Sequence, residues 1–246
     1  MHSQRVGIGR AFAWFAQGWN GFRAQPGPWI ALFLLYVVVV LALNLIPVLG
    51  GLVATLLAPA FGAGLLLAAR DGSRGDPVRL GHLFEGLTDA RTRGRLLGLG
   101  GLALAATFLL AGLFLAMAET LPEPSAPPAQ GPFWAESGLG GLLILLLGLS
   151  AAAAFYFATP LVAFTASRLP GALGASLRAV LRNLLPLLLF GLVYAALAAV
   201  AAIPYGLGFL VLGPVGAGAA YASFTEIFPH ADHDPRQPEE ETALPV

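Results

Sequence analysis

The chain of 246 residues contains no cysteine, and its thirteen Lys/Arg residues are all arginine. Without cysteine there are no disulfides, thiolate metal sites or cysteine nucleophiles. Only 11% of the residues are charged and 57% are hydrophobic, whereas a soluble domain has about 25% charged residues. A formal net charge of zero gives no bulk attraction to nucleic acid. This composition is typical of a polytopic membrane protein.

Charge is missing altogether from four long stretches of the chain. They are 46, 23, 31 and 43 residues long and cover 24–69, 96–118, 137–167 and 183–225. A transmembrane helix needs about 20 apolar residues to cross about 30 Å of hydrocarbon. The first and last stretches therefore hold two spans each, broken at the Pro/Gly-containing turns 44–51 and 203–208. We expect an all-α protein with six transmembrane helices arranged as three hairpins.

The arginines give the orientation. With six spans, all of them fall in the N-terminal segment, the second and fourth loops or the C-terminal tail, which share one side of the membrane. The loop 119–136 on the opposite side has three glutamates and no basic residue. The positive-inside rule then places both termini in the cytoplasm and the loop 119–136 in the periplasm of a bacterial inner membrane.

A segment with helical apolar spacing precedes each pair of spans, and we expect each to form an amphipathic helix in the cytoplasmic interface. The second is expected to begin at Asp76-Pro77, by N-cap chemistry, with His82 as an interfacial side chain. The apolar positions are Ile8, Phe12, Phe15, Trp19 and Phe22 in the first segment, Leu80, Leu83, Phe84 and Leu87 in the second, and Leu173, Leu177, Val180, Leu181 and Leu184 in the third.

Three repeat-like units within a single transmembrane domain (1–228) follow from this plan, at about 1–70, 76–168 and 170–228. In the first and last units a proline precedes a tyrosine by eight residues (Pro28 and Tyr36, Pro186 and Tyr194) and an Ile-Pro pair closes the span. The remaining residues, 229–246, are acidic and proline-containing, and we expect a disordered cytoplasmic tail.

No Asp, Glu, Arg, Lys or His lies within a predicted span. An ionisable group in the membrane is the usual sign of proton coupling or of intramembrane catalysis. We therefore expect no catalytic, cofactor-binding or metal-ligating residue and no enzymatic activity. Our partner expectation is membrane lipid with anionic headgroups and no nucleic acid, and a homo-oligomer is left open.

Two sets of candidate residues remain. Arginines near the interface either contact lipid headgroups or belong to helices that merely cap the bundle; they are Arg10, Arg23, Arg91, Arg93, Arg178 and Arg182. Polar or helix-breaking residues within or at the ends of the spans either pack helices together or line a substrate route; they are Tyr36, Asn44, Pro59, Pro160, Tyr194 and Pro214.

Four segments of the first half carry a resemblance to known proteins: GRAFAWFAQGWNGFRAQPGPW, LNLIPVLGGL, APAFGAGLLLAARDGSRGD and LGHLFEGL. On these residues the chain resembles an uncharacterised family of proteobacterial multi-pass inner-membrane proteins. The resemblance implies a location in the bacterial inner membrane and transfers no site residue. Our leading hypothesis is a non-enzymatic membrane protein of structural, scaffolding or lipid-interacting type. The alternative is a small transporter or channel for a neutral or weakly polar solute.

Overall fold

The computed structural model of the protein describes residues 3–118, 133–165, 167–229 and 231. These residues form helices connected by turns and short loops, without β-strands. The helices are α1 (Arg10–Ala24), α2 (Pro26–Asn44), α3 (Leu49–Ser73), α4 (His82–Thr88), α5 (Arg93–Ala118), α6 (Phe133–Tyr156), α7 (Ala158–Phe164), α8 (Leu169–Arg182), α9 (Leu184–Ala202) and α10 (Phe209–Ile227). The all-α prediction is confirmed for this part of the chain.

Five segments of the described chain are helical, long and apolar enough to cross a membrane. They are Pro26–Asn44, Leu49–Ser73, Arg93–Met117, Gly140–Phe164 and Leu184–Ala202. The sixth predicted span forms α10, which is as long as α2 but richer in Gly, Ala and hydroxyl-bearing residues. Helix α10 packs against α1, α2, α3 and α9. A membrane helix enclosed by other helices uses small residues for close packing rather than large aliphatic ones.

The two turns predicted from proline and glycine are present at the expected positions. Residues 45–48 connect α2 to α3, and residues 203–208 connect α9 to α10. Val48 (φ 63°) and Tyr205 (φ 51°) are the non-glycine residues with positive φ in the described chain, a conformation that is uncommon outside glycine. Both tips are apolar and exposed: Leu45 is 82%, Val48 81% and Tyr205 101% exposed.

Much of the backbone in these tips is hydrogen-bonded within the turn. The amide of Leu45 donates to the carbonyl of Leu41 (3.1 Å), and the amide of Gly50 donates to that of Ile46 (2.9 Å). At the other tip, Gly206 donates to Ala202 (3.1 Å) and Leu207 to Pro204 (3.0 Å). Backbone exposed to lipid must satisfy its polar groups by internal hydrogen bonds. The hydrogen bonds within these two turns satisfy many of the backbone groups there.

The predicted span 137–167 is broken within its length. Helix α6 ends at Tyr156 and α7 begins at Ala158. Pro160 has no amide to bond to the carbonyl four residues earlier, and the break falls three residues before it. Ser176 of α8 stabilises the break, because its hydroxyl donates to the Ala153 carbonyl (2.7 Å) and accepts the Phe157 amide (2.9 Å).

The predicted interfacial segments coincide with α1, α4 and α8, and each of these helices also has a buried face. The expectation that their apolar positions face the membrane interface stays a prediction. In α1 the buried residues are Ala11, Trp14, Phe15, Gly18 and Phe22, whereas Ile8, Phe12 and Trp19 are exposed. In α8 the buried residues are small: Ala172, Ala175, Ser176 and Ala179. Small residues allow close approach to the bundle and leave the larger apolar side chains on another face.

Two expectations for the second interfacial segment are wrong. Its helix begins at His82 and not at Asp76-Pro77, because Val78 donates its amide to the Gln25 side chain (2.9 Å) instead of joining a helix. His82 is fully buried and not an interfacial side chain. It reaches the protein interior because residues 74–81 fold back on the end of α3 and bring it to Asp71.

Candidate functional site

The arginine-bearing segments meet at one end of the helical bundle. Gln25 accepts the Val78 amide and donates to the Asp76 carbonyl (2.8 Å). Arg95 donates to the Ser167 carbonyl (3.3 Å), and Arg182 donates to the Ser3 carbonyl (3.4 Å). These contacts join residues 3–25, 70–95 and 167–183 into one layer, which we name the arginine layer.

Glu226 ties the end of α10 to the first interfacial helix. Its carboxylate accepts two hydrogen bonds from Arg10, at 2.6 Å from Nε and 3.0 Å from Nη2. It also accepts the indole N–H of Trp14 at 2.7 Å. The hydrogen bonds and charge of Glu226 raise the pKa of the Arg10 guanidinium. The pair anchors α1 to α10, and the Arg10 guanidinium is therefore bound to a carboxylate of the protein itself.

Asn183, at the junction of α8 and α9, holds the N-terminal segment. Its side-chain oxygen accepts the Val6 amide (2.9 Å), and its side-chain nitrogen donates to the carbonyls of Gln4 and Ala179 (both 3.0 Å). The side chain is only 1% exposed. A buried amide with three partners in this geometry fixes residues 4–6 against the bundle.

A polar cluster lies where α3 meets α4. His82 Nε2 lies 3.1 Å from Asp71 Oδ2, and its Nδ1 lies 2.9 Å from the Arg79 amide. Asp71 also accepts a hydrogen bond from Arg70 (3.0 Å). The cluster explains how a fully buried histidine is satisfied. No group of three or more His, Asp or Glu side chains suited to a metal ion occurs within the described ranges.

The six arginines proposed to contact lipid headgroups are all exposed side chains of the arginine layer. Arg10 and Arg182 have protein partners, given above, and Arg178 donates to the carbonyl of Gly174 in its own helix (3.1 Å). Arg23 lies in the last turn of α1, and Arg91 and Arg93 flank the start of α5. Their assignment to headgroups stays a prediction.

Beneath the arginine layer lies a cavity of about 1170 Å³, larger than most small-molecule pockets. Its walls come from α2, α3, α6, α7, α8, α9 and α10. Helices α6 and α9 border it without close packing against each other. The rim carries exposed leucines, namely Leu146, Leu149, Leu181, Leu184 and Leu188. The cavity therefore opens sideways, toward the space that lipid would occupy.

Three of the six predicted pathway residues line this cavity: Tyr36, Pro160 and Tyr194. Tyr36 of α2 and Tyr194 of α9, which each follow a proline by eight residues, thus line the same cavity. The described residues make no hydrogen bond to either hydroxyl. Among the other lining residues, Ser150, Tyr156 and Thr159 add hydroxyls, and none of the lining residues that the structure describes is charged. The site is an apolar chamber with a few uncharged polar groups.

Close packing on glycine fixes the aromatic rings around the cavity. The ring of Tyr194 lies against Gly216 of α10, where an added Cβ would lie 2.7 Å from Cε2. The ring of Phe33 occupies the corresponding place over Gly213, one turn earlier. Tyr194 is also stacked near Phe15 and Phe190, with ring centroids 6.5 and 6.4 Å away. The Tyr194 hydroxyl is therefore held in a defined position.

The other three predicted pathway residues lie elsewhere. Asn44, close to the tip between α2 and α3, donates to the Val40 carbonyl of its own helix (2.8 Å). Pro59 and Pro214 are buried inside α3 and α10, which continue through them. None of the three lines the cavity. Sequence reasoning also missed Ser176, Asn183 and the burial of His82, whose partners are distant in sequence or depend on the local fold.

Comparison with known proteins gives one informative relative. A protein of Burkholderia thailandensis named "Probable inner membrane protein" is 34% identical over 110 residues, which cover 42% of this chain and 40% of the relative. The chain thus matches less than half the length of that relative. No protein-family model and no solved structure matches this chain. The relative confirms the resemblance to uncharacterised bacterial inner-membrane proteins and, with the five apolar helices, supports an inner-membrane location.

Proposed function

We propose that the protein is a non-enzymatic, lipid-interacting protein of the bacterial inner membrane. In this proposal its lateral cavity holds a molecule from the bilayer, and its arginine layer rests against anionic headgroups. The observation that carries the proposal is a large cavity whose described lining is uncharged and whose rim carries exposed leucines. A site of this kind is reached from the membrane and does not suit a charged solute from water.

The topology that we propose has six crossings, made of α2, α3, α5, α6 with α7, α9 and α10. Short turns at 45–48 and 203–208 return the chain to the arginine layer after each of the first and last pairs. Both termini and the arginine layer then lie in the cytoplasm, as the positive-inside rule favours. The loop 119–136, most of which lies outside the described residues, is periplasmic in this scheme.

The arginine layer supports the lipid-interacting role through its exposed side chains. Helix α8 places small residues against the bundle and leaves Leu181 exposed beside Arg178 and Arg182. A helix with an apolar face and arginines on its flank is suited to the headgroup boundary of a membrane. Each basic residue near an anionic surface adds about 1 kcal/mol of attraction.

The test is to fill the cavity and measure what the protein retains. Gly191 lines the cavity and an added Cβ there meets nothing within 4 Å, so Gly191→Trp places an indole in the chamber. Gly112 is an exposed position in α5 that is equally open, and Gly112→Trp is the matched control. Protein purified in mild detergent is analysed by native mass spectrometry for bound lipophilic molecules.

We expect a bound molecule on the natural protein and on Gly112→Trp, and its loss from Gly191→Trp. Equal retention by all three proteins would show that the cavity holds no lipid and would overturn the proposal.

The second candidate function, transport of a neutral or weakly polar solute, is favoured by the cavity hydroxyls and by the helix break at Phe157. Saturable solute uptake into proteoliposomes, abolished by Gly191→Trp, would favour that alternative.

A further inference from the structure

We propose that the ligand of the lateral cavity is a neutral lipophile with a carbonyl-type acceptor in the middle of its apolar body, bound by the hydroxyls of Tyr36 and Tyr194. This inference rests on the proposed function, since it names the chemistry of the molecule in the same cavity. It depends on three properties of the two tyrosines: their depth, their hydroxyls' lack of hydrogen-bond partners among the described residues, and their uncharged surroundings.

The depth follows from where their helices begin. Helix α2 starts at Pro26, directly after Gln25, which is bonded to residues 76 and 78 of the arginine layer. Helix α9 starts at Leu184, directly after Asn183, which is bonded to residues 4 and 6. Each tyrosine comes ten residues after its helix start, about 15 Å at 1.5 Å per residue. That is half of a hydrocarbon core about 30 Å thick.

This depth separates two kinds of ligand. The polar groups of a phospholipid stay in the headgroup region, so its acyl chain would offer nothing to a hydroxyl about 15 Å deeper. A hydroxyl in an apolar medium without a hydrogen-bond partner is unfavourable. A molecule that lies wholly within the hydrocarbon and has a carbonyl or ether oxygen partway along its length would satisfy both tyrosines.

The surroundings indicate that the ligand is uncharged. The lining residues that the structure describes include no Asp, Glu, Arg, Lys or His, so a charged group would be buried there without a counter-ion. A tyrosine hydroxyl has one hydrogen to donate, and a carbonyl oxygen accepts up to two hydrogen bonds. Both donors line the same cavity, where packing on glycine and phenylalanine rings holds them, and the proposal assigns them to a single carbonyl.

The experiment compares two probes that differ in one carbonyl. The first is a long symmetrical dialkyl ketone with a carbon-13 label at its central carbonyl, and the second is the alkane of the same length. The full-length protein is placed in lipid nanodiscs, and binding is followed together with the infrared stretching band of the labelled carbonyl. The variants are Tyr36→Phe, Tyr194→Phe and the double variant, with Tyr205→Phe, on the exposed tip, as the control.

We expect the natural protein to bind the ketone more tightly than the alkane, with a carbonyl band shifted to the hydrogen-bonded position. Loss of one neutral hydrogen bond corresponds to roughly fivefold weaker binding, and loss of both to roughly thirtyfold. The double variant should lose the shifted band and bind the alkane as before, whereas Tyr205→Phe should behave like the natural protein.

Equal binding of ketone and alkane to the natural protein, without a shifted band, overturns the inference and leaves a lipid site of other chemistry. The same conclusion follows if the shifted band persists in the double variant, because the donor would then be water or another group. Absence of binding by either probe, together with no effect of Gly191→Trp on the native lipid content, overturns the proposed function as well. These results distinguish failure of the inference from failure of the function.

Discussion

Tyr194 in α9 packs so closely on Gly216 in α10 that a methyl group on the glycine would lie 2.7 Å from Cε2 of the ring and 3.4 Å from its hydroxyl oxygen. The glycine therefore decides where the tyrosine hydroxyl stands in the cavity. The contact also packs a residue of α9 onto the buried helix α10 that follows it. Several consequences can be measured.

Gly216→Ala should displace the Tyr194 ring, because the contacted atoms belong to a side chain that can move. We expect weaker ketone binding, similar in size to that of Tyr194→Phe, and a stability loss of about 1–3 kcal/mol from overpacking. Gly112→Ala is the control, since a Cβ there is free of contacts within 4 Å and Gly112 lies outside the cavity lining. Unchanged ketone binding by Gly216→Ala would mean that this packing does not position the hydroxyl.

Gly18→Ala should separate α1 from α10. A methyl group on Gly18 would lie 2.8 Å from the Ala219 backbone nitrogen, and backbone cannot yield as a side chain can. We expect a clear fall in the thermal midpoint in detergent, corresponding to about 2–3 kcal/mol. The control Gly21→Ala, in the same helix with open space around it, should leave stability equal or raise it by up to about 1 kcal/mol.

Ser176→Ala should destabilise the junction between α6 and α7. The substitution leaves the Phe157 amide and the Ala153 carbonyl without their hydroxyl partner, which costs about 1–3 kcal/mol when the groups are buried. Hydrogen exchange at Phe157 should become faster. Ser73→Ala is the control, because among the described residues that hydroxyl donates only to the Arg70 carbonyl in its own exposed turn, and its effect should stay within about 0.5 kcal/mol.

The sequence predicted the helical class well because charge-free length is a local property. It left open which side of α1 packs on protein, because that helix has apolar residues on two sides. The regular spacing selected Phe12 and Trp19, which are exposed, whereas Trp14 is buried beside Glu226. Which apolar side faces protein depends on α10, about 200 residues away in the chain, and no local pattern contains that information.

The candidate site was predicted in part for a similar reason. The shared proline-tyrosine spacing drew attention to Tyr36 and Tyr194, and both line the cavity. Asn44 was chosen on polarity alone, although its side chain donates a hydrogen bond to the Val40 carbonyl in the preceding turn of its own helix. The cavity exists because α6 and α9 do not pack closely, which is a property of the assembled bundle. The proposed repeat stays a prediction.

The apolar tips make a further prediction about the outer face. Val48 and Tyr205 are highly exposed on turns without charged residues, and α2 and α9, at 19 residues each, span about 28 Å. We therefore expect both tips to end in the outer leaflet. Val48→Cys and Tyr205→Cys should react much more slowly with a membrane-impermeant thiol reagent than Ser125→Cys, and all three equally after denaturation. Equal rates in intact cells would place the tips in water.

The central claim is that the arginine layer lies in the cytoplasm while the uncharged segments cross the membrane. The absence of cysteine allows a direct measurement with two single substitutions. These are Ser73→Cys, in the arginine layer, and Ser125→Cys, in the loop outside the described residues. Intact cells producing each variant are treated with a membrane-impermeant thiol reagent, before and after permeabilisation. The account predicts that Ser125→Cys reacts at once and Ser73→Cys only after permeabilisation, whereas immediate labelling of Ser73→Cys from outside would contradict it.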